Sequence, residues 1–167
     1  METPKKDNFT LRKVKLQPKG GIKTDYEIAI ALDGEVVVTE RSEITGREVH
    51  PDFKNAVKAL APVVADVFEF SDETAERIEV RGIAISGEGD KEGVVITSVF
   101  ETSNGQKTCI NTPRLFTAGD ENQALDAAVE NIRDEVYAYL FEGKQAQLSL
   151  FGDNGEAAES NDIPDGI

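Results

Sequence analysis

Apolar and polar residues alternate through much of the stretch from Phe9 to Ile44. Residues 9–17, FTLRKVKLQ, read as a strand whose alternation breaks between Leu11 and Val14. Such a break marks a β-bulge, one extra residue entered into one strand of a pair. Pro18 and Gly20-Gly21 end the strand. Residues 24–32 set Tyr26, Ile28, Ile30 and Leu32 on one face of a strand. Asp33-Gly34 predicts a tight hairpin, because a type I′ turn needs positive φ at both central residues. Residues 35–44 are then the partner strand, with Val36, Val38 and Ile44 predicted inward.

The period changes after Pro51, which suits a first helical position because its missing N–H leaves no bond unmade. Phe53, Ala56, Val57, Leu60, Val64, Val67 and Phe68 recur at helical spacing. Pro62 falls inside that pattern and predicts a kinked or divided helix, closed at Ser71-Asp72. A second round follows. Residues 77–86 alternate as a strand, with a shift at Gly82 that again suggests a bulge. Residues 93–102 and 106–112 form a hairpin around Ser103-Asn104-Gly105. Asp120, with Gln123 three residues on, predicts a capped helix. Its stripe is Leu125, Ala128, Val129, Ile132, Val136 and Leu140, and Gly143 supplies the stop.

The predicted order is βββα-βββα, an α+β fold with one or two antiparallel sheets packed against two helices. Residues 1–143 form a single domain in this reading, with halves at 9–70 and 77–143. The element order resembles that of sliding clamps, which are built from repeated units of one helix and several strands.

Composition narrows the function. The 167 residues hold 18 Lys and Arg against 32 Asp and Glu, a formal charge of −14. One Cys rules out a disulfide framework and a multi-Cys zinc site, and one His rules out most paired-His arrangements. No apolar run is long enough to span a bilayer, and METPKKDNFTLRK has no apolar signal region, so a cytoplasmic protein is expected. The charge is uneven. Bases outnumber acids in residues 1–23, whereas residues 152–167 carry five acids and no base. An acidic body repels nucleic acid, which is bound by neutralising phosphates. A local basic strand can still meet phosphate. Arg12, Lys13, Lys15, Lys19 and Lys23 are candidate contacts to single-stranded DNA, with Tyr26 as a base-stacking ring. The simpler alternative is a solvated strand face whose lysines discourage edge pairing.

Candidates for chemistry are few. His50, before Pro51, has no nucleophile motif beside it and reads as a cap or surface residue. Cys109 lies in a strand and is expected to be a buried, inert thiol. The loop from Gly87 to Gly93 lacks the ligand spacing of a calcium site, and Lys91 opposes a cation. There is neither a phosphate-cradling loop motif nor a dinucleotide fingerprint. No enzyme activity, cofactor or metal is expected.

The informative segment is 144–151, KQAQLSLF, between the last helix and a polar acidic tail at 152–167 that is predicted to be disordered. Gln147-Leu148-Ser149-Leu150-Phe151 resembles the pentapeptide by which many bacterial DNA polymerases, repair proteins and replication regulators bind the β sliding clamp. That pattern is Gln, Leu, a small or acidic residue, Leu, Phe, and all five positions match. Chance would give one match in a chain of this length on the order of once in a thousand. The resemblance implies that Gln147 makes polar contacts, Leu148 helps the backbone turn, Ser149 stays small, and Leu150 and Phe151 fill an apolar pocket. The alternative is that QLSLF folds back onto the core as a last strand. Residues 161–167, NDIPDGI, are also similar to the acidic tip of bacterial single-stranded DNA-binding proteins, although the chain ends in Ile167 rather than Phe. The expected function is a non-enzymatic accessory protein of DNA replication, repair or recombination, such as phages and mobile elements carry. It would bind the clamp and also single-stranded DNA. A phage-type clamp blocker and an acidic DNA mimic are the alternatives.

Overall fold

A computed structural model describes residues 3–147. The fold is α+β. Strands β1 (Phe9–Leu16), β2 (Ile22–Leu32) and β3 (Glu35–Ile44) come first. Helices α1 (Pro51–Lys58), α2 (Ala61–Phe68) and the short α3 (Asp72–Ala75) follow. Then come β4 (Ile78–Ser86), β5 (Gly93–Glu101), β6 (Lys107–Asn111), β7 (Leu115–Phe116) and the long helix α4 (Gln123–Phe141). The expected order βββα-βββα is therefore too simple. Pro62 splits the first helix, Ser71 caps an extra turn through its bond to the Thr74 N–H, and β7 adds a strand too short to show periodicity.

One antiparallel sheet carries both halves, in the order β3-β2-β1-β4-β5-β6, with β7 paired to β5. The halves meet where β1 lies against β4, with Val14 opposite Ile83. Each inner strand carries the bulge its sequence announced, between Leu11 and Lys13 in β1 and between Val80 and Gly82 in β4. The Asp33-Gly34 turn has the left-handed backbone its residues allow, with φ of 51° and 83°.

The core lies on one face. Leu11, Val14, Val80, Ile83, Val94 and Ile96 of the sheet meet Phe53, Val57, Leu60 and Val64 on one side and Val129, Ile132, Val136 and Tyr139 of α4 on the other. The Tyr139 hydroxyl donates to the Arg47 carbonyl at 2.5 Å and lies 2.5 Å from Thr45 Oγ1, so α4 is fastened to the end of β3.

Three inward assignments fail in β3. Val36, Val38 and Ile44 are 71%, 54% and 73% exposed. They pair with Ala31, Ala29 and Lys23, so they lie on the sheet face opposite Tyr26 and Ile28 and point away from the core. Ile30 and Leu32, on the same face as Tyr26 and Ile28 but nearer the turn, are exposed as well. Cys109 is also exposed, on outer strand β6, and not buried as expected. Asp120 does not cap α4. Gly119, at φ 103°, leads into a short 3-10 turn over Asp120–Asn122, and α4 starts without a side-chain cap.

Candidate functional site

The described residues that follow α4 are well fastened. Gly143 takes the left-handed conformation at φ 71°, and the Lys144 N–H returns to the Ala138 carbonyl, closing the last turn of α4. Lys144 Nζ then bridges two carboxylates, Glu135 and Asp52, each at 3.0 Å. The bond from Lys144 holds the Asp52 carboxyl below its ordinary value, with His50 adding to the effect. Glu135, followed by Asp52, raises the Lys144 ammonium in turn. His50 is the N-cap of α1, its Nδ1 accepting the Asp52 N–H at 3.0 Å, so the lone histidine serves the helix.

Gln145 pairs with Val49 in an isolated antiparallel bridge, and the Ala146 N–H donates to the Glu48 carbonyl at 3.0 Å. Arg47 reaches Gln145 Oε1 at 3.3 Å. Gln147 is exposed. It is the first residue of the five-residue motif and the first beyond these tethers. Leu148, Ser149, Leu150 and Phe151 lie outside the described residues, as does the acidic segment 152–167.

The basic residues share a different region. β1 is an inner strand, so its lysines guard no edge, contrary to that part of the simpler reading. Lys13, Lys15 and Lys23 are exposed strand residues, and Lys19 is exposed in the β1–β2 turn. Lys13 stands opposite Asp25, but Lys15 stands directly opposite Lys23. On the other side Lys15 pairs with Gly82, beside Arg81, a base the sequence reading left out. Arg12 is committed elsewhere: its Nε donates to Glu27 at 2.7 Å. Tyr26 does not fit the stacking role. It is buried, packed against Phe9 and Phe141, and its hydroxyl donates to Glu43. Burial, followed by that bond, pushes its pKa up to about 12.

No family model, curated protein or solved structure matches the chain. No helix among the described residues is long and apolar enough to cross a membrane.

Sequence reasoning also missed the bare outer edge formed by β3. Its signal was present: EVVVTERSEI has three consecutive valines and contains neither Lys nor Pro.

Proposed function

We propose that this protein is a non-enzymatic accessory factor of DNA replication, repair or recombination that attaches to the bacterial β sliding clamp through Gln147-Leu148-Ser149-Leu150-Phe151. The observation that carries this reading is the position of the motif. Among the described residues the last tether is the Ala146 N–H to Glu48, and the next residue, Gln147, is exposed. A clamp-binding peptide needs to extend from its carrier and place a few apolar anchors in preformed pockets. The buried core already draws on both halves, from Leu11 to Tyr139.

Calorimetry with a purified bacterial β clamp tests this directly. The full chain is expected to bind with roughly micromolar affinity, about −8 kcal/mol. A Leu150→Ala/Phe151→Ala double variant is expected to give no measurable heat. Equal binding by both proteins would refute the assignment.

The sheet's open face supports a second activity of the same protein, contact with single-stranded DNA through Lys13, Lys15, Lys19 and Lys23. Like charges directly opposite one another repel, and a phosphate between Lys15 and Lys23 would relieve that. Binding that weakens steeply with salt in the wild type, and that is weaker with a shallower salt dependence in Lys15→Ala/Lys23→Ala, is the expected result. Clamp binding with no affinity for single strands at low salt would favour the clamp blocker instead.

A further inference from the structure

The two edges of the sheet are built differently. The β6 edge is short, begins at Lys107 and is followed by Pro113, devices that discourage further pairing. The β3 edge is twice as long and holds neither Lys nor Pro, and its charges, Glu35, Glu40, Arg41 and Glu43, flank a run of three valines. It runs straight from Glu35 to Ile44, in register with β2 throughout and without a bulge. Both of its faces are apolar near the turn, where Val36, Val37 and Val38 are 71%, 43% and 54% exposed. Ile30 and Leu32 of β2 extend the same exposed surface. Such an edge is a template for another strand.

The backbone fixes which residues face outward. The Thr45 N–H donates to the Ile22 carbonyl at 2.9 Å, so Thr45 and every second residue before it bond to β2. Val36, Val38, Glu40 and Ser42 then turn their N–H and C=O groups away from the sheet. A second antiparallel strand can bond only at those residues.

We propose that two copies of this chain associate through β3, antiparallel about a two-fold axis at Val38. The register follows from charge. With Val38 on the axis, Val37 faces Thr39 of the partner subunit and Glu35 faces Arg41 of the partner subunit, while Glu43 falls opposite Asp33 of the partner subunit, which lies in the turn and outside the strand. Two-fold symmetry repeats the ion pair on the other side. Glu35 and Arg41 fall at non-hydrogen-bonded positions, where opposing side chains come closest. Moving the axis to Thr39 sets Glu35 against Glu43 of the partner subunit, a repulsion. Moving it to Val37 sets Arg41 against Asp33 of the partner subunit, which lies in the turn and outside the strand. Within its own chain Arg41 lies beside Tyr26 and Glu43, which hold it on this edge. The joined sheet runs through both copies and covers the valines that the helices leave bare.

Sedimentation equilibrium of the full chain, without clamp or DNA, tests the proposal independently of the function above. The wild type is expected to shift from monomer to dimer as concentration rises. Val38→Pro removes an outward N–H that β2 does not use, and is expected to abolish the dimer while the far-UV spectrum stays native. Glu35→Arg is expected to weaken the dimer about tenfold or more, and Glu35→Arg/Arg41→Glu to restore it. A monomer at every concentration would overturn the proposal. So would a dimer indifferent to Glu35→Arg, or a reversed pair that fails to rescue.

Discussion

Tyr26 shows how much one buried hydroxyl can set. Its ring is wedged between Phe9 and Phe141, and its hydroxyl donates to Glu43. The folded state therefore holds the phenol proton more tightly than the unfolded chain, with a pKa of about 12 against an ordinary 10. The contribution is complete below pH 10 and is lost as pH rises towards 12. Denaturant midpoints measured across that window are expected to fall in the wild type and to fall less in Tyr26→Phe. Gly82 is a second single-residue constraint. A Cβ there would lie 2.1 Å from the Val14 carbonyl oxygen and 2.8 Å from Lys15 Cα. Both are backbone atoms of the neighbouring strand and cannot swing aside. Gly82→Ala is expected to cost about 3 kcal/mol, read as a lower denaturation midpoint at unchanged slope.

At the scale of the element, the sequence was most legible where the cause is local. The bulges at Leu11/Lys13 and Val80/Gly82, the Asp33-Gly34 turn, the split at Pro62 and the stop at Gly143 each follow from a few adjacent residues. Alternation told less than it promised in β2 and β3. It reports that two faces differ in polarity, and says nothing of whether another element covers the apolar one. Tyr26 and Ile28 are covered, Ile30 on the same face is not, and Val36 and Val38 lie on the opposite, open face. Tyr26 was taken for an exposed ring for the same reason, since a tyrosine on a strand reads alike at a surface and in a core. Asp120 misled differently: the positive φ of Gly119 starts a 3-10 turn, and α4 begins three residues later than its cap signal. Of the pentapeptide at 147–151, the sequence supplied all five residues, and the structure describes Gln147 and the tethers that precede it.

For the whole molecule, the separation between body and peptide makes a clear expectation. Among the described residues the buried core reaches no further than Tyr139, and the last tether is at Ala146. A chain truncated after Ala146 is expected to keep its thermal midpoint within a few degrees and to lose clamp binding in the same calorimetric experiment. The seam at the middle of the sheet has a consequence of another kind. The β2–β3 and β5–β6 hairpins each bring together residues close in sequence, whereas pairing β1 with β4 closes a loop of about 70 residues. The entropy of that closure is lost before any of the core between the halves is gained. The speed of folding is thus set at the centre of the sheet, by the meeting of β1 and β4, while the outer hairpins form early and wait for it.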